Sequence, residues 1–417
     1  MFIIILFATT SISNVWGEGQ QEAGTAAKQV TLHIMQYGPE FAPAMEEMAA
    51  EYNKDFPNVK IEFEISQTTY NTLLKAKLNA GNLPDVFMLG TIADMKLYKP
   101  YLLDITNEPF VKNFLPNAMD MVTLDGKVYG FPIWFQSYGL IYNKKVFREA
   151  GITDLPETLS QLEEVCKKLE AKDIIPFSNG YGEWWVFKHI FTHAMAAEEG
   201  DPVEIAQKLN KGELTFSDLK EAGKVFDFID LTLKYGQPDS VATDFSTQCS
   251  LVGTDKAAIL QQGDWAELTI MGINPDAEIG FLGEPIDDNP DHTRLMAASS
   301  TAWVVSKDNK NVEEVLKWMD WMTTSDYGKN FISLKVKATS TIKGASQPDS
   351  QLVKEASKFL EKNQTYFWVQ NYWPHGFDEQ LGVLMQAYVI KEIDKEQCLE
   401  EMTKTWVKLA KAQAEAE

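Results

Sequence analysis

Between Val30 and Leu89 the spacing of apolar residues changes period four times, and that alternation constrains the fold more than any other feature of the chain. Val30, Leu32 and Ile34 alternate as a strand, and Met45, Met48, Ala49, Tyr52 and Phe56 recur at helical spacing between Pro39 and Pro57. Val59, Ile61, Phe63 and Ile65 alternate again. A second helix carrying Leu73, Leu74 and Leu78 ends at Gly81, a residue free to take the left-handed cap, and Val86 to Leu89 reads as a buried strand. The order βαβαβ implies a parallel sheet covered by helices. The pattern resumes after Tyr129-Gly130-Phe131-Pro132. Thr158 and Gln161 form a capping box for a helix running through Leu169, and further helices are expected near 218–234 and 312–322. At 417 residues the chain exceeds the roughly 250–300 residues at which a single core stops growing, so two α/β domains are expected. In such lobes ligands sit beyond the carboxyl ends of the strands, which makes the crevice between the lobes the natural site.

The first segment, 1–17, is an uncharged apolar run ending in Val15-Trp16-Gly17 and reads as a signal peptide, although no Lys or Arg precedes it. Residues 18–28, rich in Gly, Gln, Ala and Glu, read as a flexible lead-in. No later stretch approaches about 20 apolar residues, so a soluble exported protein is expected, periplasmic or extracellular. The three cysteines, Cys166, Cys249 and Cys398, lie far from any acylation position and are too few and scattered for a disulfide framework. Cys166 falls on the apolar stripe of Leu162, Val165 and Leu169. With 60 acidic against 38 basic residues, a formal charge of -22, the chain repels phosphate backbones and anionic lipid, which excludes nucleic acid as a partner.

Eleven tryptophans and fourteen tyrosines exceed what packing requires, and many fall in loop-like segments beside amides and carboxylates. These are the stretch from Phe131 to Tyr138, which holds Trp134, then Tyr181-Gly182-Glu183-Trp184-Trp185, Gly263-Asp264-Trp265, and Tyr366 to Trp373. A pyranose presents an apolar face that a ring can cover and a belt of hydroxyls that planar carboxylates and amides bond in pairs. Any one tryptophan could equally be core. Four such clusters favour a sugar site.

Asp125-Gly126-Lys127-Val128-Tyr129-Gly130-Phe131-Pro132, followed by Leu140-Ile141-Tyr142-Asn143-Lys144-Lys145-Val146-Phe147-Arg148-Glu149-Ala150-Gly151, resembles the signature of family 1 extracellular solute-binding proteins of ABC transporters. Leu83-Pro84-Asp85-Val86, Lys256 to Ile259 leading to Gly263-Asp264-Trp265, and Ser306-Lys307-Asp308 agree in order and spacing. The resemblance implies the periplasmic-binding-protein-like fold of type II, with two α/β lobes, 29–142 with 297–337 and 143–296 with 338–417, hinged near Tyr142, Met296 and Lys337. It implies a monomer that closes on a carbohydrate and delivers it to membrane permease subunits, without a cofactor, metal or catalysis. Carried onto this sequence, Trp265 matches the stacking tryptophan of the Gly-x-Trp turn, and Glu183 and Trp185 the acid and aromatic of the Glu-Pro-Tyr stretch. Gln36 and Tyr37 stand where the family's maltose binders carry an Asp-Lys pair. The expected ligand contacts are Gln36, Tyr37, Gln67, Asp85, Trp134, Tyr138, Glu183, Trp184, Trp185, Asp264, Trp265, Trp368, Asn371 and Trp373.

Three other readings compete with this one. A glycosidase needs two carboxylates about 5 to 10 Å apart, and no spacing marks such a pair, although Asp264 and Glu183 could meet across a cleft. His189 and His193 have the i, i+4 spacing of a zinc-binding helix without its catalytic Glu. A chemosensory receptor would use the same cleft and closure.

Overall fold

The computed structural model describes residues 29–299 and 301–416; the expected signal peptide and lead-in lie outside the described residues. Strands β1 (Val30–Gln36) and β2 (Val59–Ile65) run parallel in unbroken register from Val30 against Val59 to Gln36 against Ile65, and β3 (Val86–Leu89) adds parallel on the other side of β1. Helices Ala42–Asp55 and Tyr70–Asn79 make the crossovers, as the sequence periodicity predicts. Gly81, at φ +64°, lets the chain leave the second of them. Strands β4 (Thr123–Leu124) and β5 (Lys127–Val128) form a hairpin whose tip, Asp125-Gly126, takes positive φ at both residues, the geometry that matches strand twist.

The first sheet is completed by β6 (Gly130–Pro132) and, later, β12; the second grows around β7 (Trp134–Asn143). Its other members are β8 (Ile175–Ser178), β9 (Ala257–Gly263), β10 (Ile279–Leu282), β11 (Leu295–Ser299), β13 (Thr339–Ser340) and β14 (Thr365–Tyr366). β12 (Ala302–Val305) runs antiparallel between β3 and β6 in the first sheet. Each sheet has its own core, with Trp303 and Trp318 in one and Phe187 and Trp406 in the other.

The strands change sheet at Ile133 and between Ser299 and Ala302, whereas the sequence pointed to Tyr142 and Met296. Tyr142 pairs with both β9 and β10, and Met296 with β7, so both lie inside the second sheet. A strand buried on both faces has no alternation to mark where it enters a sheet. Two residues beyond Lys337 the chain touches the second sheet at β13, returns to bridge Phe114 at Ile342, and enters the second lobe before Ser350, which caps the helix Gln351–Glu361 packed on β10.

Local signals are met in detail elsewhere. The Thr158 side chain accepts from the Gln161 backbone N–H at the start of the helix Leu159–Glu170, while the Gln161 side chain turns back to Glu157 N, one residue beyond a strict capping box. Leu162, Val165, Cys166 and Leu169 are all buried on that helix, and each full-sized aliphatic contributes about 1.5–3 kcal/mol by leaving water. All three cysteines are free and buried, and burial pushes their thiols up. Among the described residues no helix is long and apolar enough to cross a membrane.

Candidate functional site

A cleft lies between the two sheets, beyond the carboxyl ends of β1, β2 and β3, where Tyr37, Gln67 and Gly90 follow their strands. The wall from the second lobe is aromatic. Trp184, Trp185, Lys188 and His189 occupy one face of the helix Trp184–Ala197, at positions i, i+1, i+4 and i+5. Trp265, at the end of the β9 turn, lies with its ring centroid 6.2 Å from Tyr138, 6.5 Å from Trp185, 5.5 Å from His189 and 6.5 Å from Trp368. Its Nε1 donates to Gln262 Oε1 at 2.9 Å, Gln262 donates to Gln248 at 2.7 Å, and Gln248 donates to the Ser178 carbonyl at 2.9 Å. The ring is thus oriented through a chain of buried amides. A Cβ on Gly263 would stand 2.0 Å from the Trp265 ring, so only glycine leaves space for it. Burial holds His189 well below its ordinary value, so the imidazole is neutral among these rings.

The wall from the first lobe carries most of the polar groups, Tyr37, Glu40, Gln67, Asn71, Lys75 and Asp94, set among apolar side chains such as Phe41, Leu74 and Met88. Three hydrogen bonds join it to the second lobe: His375 Nδ1 to Asp94 Oδ1 at 2.6 Å, Asn71 Nδ2 to Glu379 Oε1 at 2.7 Å, and Thr68 Oγ1 to Glu183 Oε2 at 3.1 Å. The lobes are therefore in contact across the cleft. Burial works against the Asp94 charge, but the bonds from His375 and Thr91 outweigh it and leave its carboxyl below the ordinary value. Burial likewise works against a His375 charge, and Asp94 more than offsets it, raising the imidazole. Lys188 is pulled down by burial, opposed by Asp378, Asp94 and Glu379, and its ammonium lies 5.5 Å over the Trp184 ring. Burial raises Tyr37, with Asp94 and Asp378 adding to it, raises Asp378, and pushes Glu40 up to about 7.

Of the expected contacts, Tyr37, Gln67, Trp134, Trp184, Trp185, Trp265 and Trp368 line this cleft. Gln36 does not. Successive strand residues face opposite ways, so while Tyr37 reaches the cleft, Gln36 is buried and accepts from Trp303 Nε1 at 3.3 Å. Asp85 sits at the opposite end of β3 and accepts from His33 N at 2.7 Å. Tyr138 is fully buried behind Trp265, and Asp264 accepts from Ser137 N at 3.0 Å, with burial pushing its carboxyl up to about 8. Glu183 orients a neighbour, accepting from Trp185 Nε1 at 3.0 Å. Trp373 packs on Phe377 and Trp406 in the core of the second lobe and lines only a small recess beside the cleft, and Asn371 is buried in the adjoining turn. The pair His189 and His193 divides its contacts: His189 meets the rings, whereas His193 Nε2 lies 2.8 Å from the His292 carbonyl and Nδ1 3.7 Å from Glu284.

Sequence reading missed Glu40, Asn71, Lys75, Asp94, Gln136, Lys188, Gln370, His375 and Asp378, all of which line the cleft. Lys188 was within reach, since it falls one helical turn beyond Trp184. The others come from a strand, Gln136 on β7, and from helices and loops that only the tertiary fold brings together.

Two α/β lobes enclosing a cleft, with four indoles on one wall and a mixed wall rich in hydrogen-bonding groups facing them, define a receptor for a small solute. The chain belongs to the bacterial extracellular solute-binding protein family, whose model matches residues 38–329. It is 25% identical over 337 residues to an uncharacterized ABC transporter extracellular-binding protein of Pyrococcus horikoshii, covering 77% of this chain and 74% of that one. It is 21% identical over 357 residues to the multiple sugar-binding protein of Streptococcus mutans, covering 83% of each. Among solved structures, a sugar transporter from Bacillus licheniformis in complex with stachyose superposes with a TM-score of 0.77 at 19% identity, covering 91% of this chain and 100% of that one, and so shares the fold.

Proposed function

We propose that this chain is the carbohydrate-capturing subunit of an ABC importer, an exported monomer that closes its lobes on a sugar and presents the closed form to membrane permease subunits. The observation that carries this reading is the cleft's pairing of four indoles, Trp184, Trp185, Trp265 and Trp368, with hydrogen-bonding groups on the facing wall. Rings cover the C–H face of a pyranose, and amides, carboxylates and Lys188 bond its hydroxyls. The named sugar binding of the Streptococcus mutans relative and the stachyose bound in the Bacillus licheniformis structure agree with this. The lobes divide at Ile133, between Ser299 and Ala302 and between Ile342 and Ser350, where closure would bend the chain.

Recognition is favoured over hydrolysis, because Glu183 and Asp264 are already committed to Trp185 with Thr68 and to the backbone of Ser137. No cofactor enters this mechanism. A thermal-shift screen against mono- and oligosaccharides tests it: a ligand bound only by the native state raises the melting temperature. A rise with one sugar class is expected, and no rise with any sugar overturns the carbohydrate assignment.

A further inference from the structure

Behind the cleft's aromatic wall, the second lobe carries another group of polar side chains that sugar binding does not use. Glu221 lies in the first turn of the helix Lys220–Lys234, Asp287 in the loop after β10, and His292 closes the turn Pro290–His292. His292 Nδ1 is 3.1 Å from Asp287 Oδ2 and 3.6 Å from Glu221 Oε2, and one donor atom from each residue lies within 4.8 Å of the other two. The Glu221 side chain is only 5% exposed, and its Oε2, turned towards His292, has no hydrogen-bond partner. A buried carboxylate oxygen left without a donor is costly, which points to a cation as its complement.

We propose that Glu221, Asp287 and His292 form a divalent-cation site of the zinc class. One imidazole with two carboxylates favours zinc over calcium or magnesium, which prefer oxygen alone. Ligand atoms about 2.0–2.1 Å from a tetrahedral zinc stand roughly 3.3 Å apart, close to the two distances to His292. The outer atoms of all three ligands are already held. Asp287 Oδ1 accepts from Asn289 N at 2.9 Å, the Asn289 side-chain amide lies 3.0 Å from His292 Nε2, and the Lys220 ammonium lies 3.4 Å from Glu221 Oε1. Glu198, whose carboxylate caps the same helix at Glu221 N and Ala222 N, adds negative charge beside the site.

His292 Nδ1 lies 3.1 Å from Asp287 Oδ2 and Nε2 lies 3.0 Å from the Asn289 side-chain amide, so a cation on Nδ1 would hold the neutral imidazole in the tautomer whose single proton sits on Nε2, facing Asn289. The site ties the helix Lys220–Lys234 to the loop between β10 and β11, whose His292 carbonyl meets His193 on the helix that carries Trp184 and Trp185.

The test is calorimetric titration of the chelator-treated protein with Zn²⁺, and separately with Ca²⁺ and Mg²⁺, on the wild type and on Asp287→Asn, Glu221→Gln and His292→Gln. One equivalent of Zn²⁺ is expected, raising the melting temperature, with affinity falling roughly 10- to 100-fold or more in each variant. Should one variant fail to fold, the other two carry the test. His33→Gln, which removes the exposed His33–Glu62 pair, is expected to leave that affinity unchanged. No saturable zinc uptake, uptake equal in wild type and variants, or an equal response to Ca²⁺ or Mg²⁺ would overturn the site and leave His292 as the bridge between two carboxylates.

Discussion

The two walls of the cleft are built differently. On the second-lobe side, Trp185, Trp265 and Trp368 pack around His189, Trp184 stands beside Lys188, and the Trp185 and Trp265 rings are fixed from behind by Glu183 and by the Gln262–Gln248 relay. On the first-lobe side, Tyr37, Gln67, Asn71 and Asp94 are spread over the ends of three strands and the helices that follow them, and two of them are held by partners on the other lobe. The aromatic wall is complete within one lobe and can meet a sugar before closure. The polar wall reaches its bonded arrangement only when the lobes meet, so affinity should come chiefly from one side and closure from the other.

Removing the aromatic anchor should give the largest effect. Trp265→Ala is expected to lose about 2–4 kcal/mol of sugar affinity, roughly 30- to 1,000-fold, the range of an interface hot spot, with the melting temperature of the ligand-free protein little changed. Calorimetric titration reads it, and a loss under about threefold would break the assignment of affinity to the aromatic wall. Gly263→Ala should act through the same ring without touching it chemically. Its Cβ, 2.0 Å from the indole, must displace Trp265, and a loss of roughly tenfold, about 1.4 kcal/mol, is expected by the same titration. Unaltered affinity would mean that the ring's placement is unimportant.

The latch across the cleft should matter less and depend on pH. His375 is raised above 6.5 by Asp94 despite burial, so its contribution to the closed form is fully present below about pH 6.5 and fades as pH rises through the raised value. The lowered Asp94 carboxyl contributes above its ordinary 3.8 and fails only as pH falls through its depressed value. Lys75 opposes the His375 charge and Asp378 favours it. Wild-type affinity should therefore weaken from mildly acid to alkaline pH, while His375→Gln should be weaker by about 1.5–3 kcal/mol in acid and nearly flat with pH. Parallel pH profiles for the two proteins would remove the latch from the account. Gln67→Ala should have the smallest effect, about 0.5–1.5 kcal/mol, because its Oε1 also accepts from Gly38 N and part of its role is to hold that turn. A loss matching that of Trp265→Ala would reverse the ranking of the walls.

Much of the aromatic wall was legible in the sequence, because Trp184 with Trp185 and Gly263 with Trp265 are contiguous motifs whose chemistry survives without knowledge of the fold. The polar wall was not. Asp94 and His375 stand 281 residues apart and meet only through closure of the two lobes. Local pattern also failed where it needed a direction: Gln36 and Tyr37 are neighbours, yet strand alternation sends one to Trp303 and the other to the cleft. Trp368 and Trp373 flank one short turn, and the first faces the cleft while the second packs mainly into the core. The crossovers of the first lobe were readable from β1 to β3 because helices and strands alternate there. The change of sheet at Ile133 was hidden by a strand buried on both faces.

A crystal structure of the protein with a bound oligosaccharide tests the central claim most directly. The account predicts a pyranose with its C–H face against Trp265 and the neighbouring indoles, and its hydroxyls within hydrogen-bond reach of first-lobe side chains such as Gln67. A sugar held by the first lobe alone, or seated outside this cleft, would contradict it.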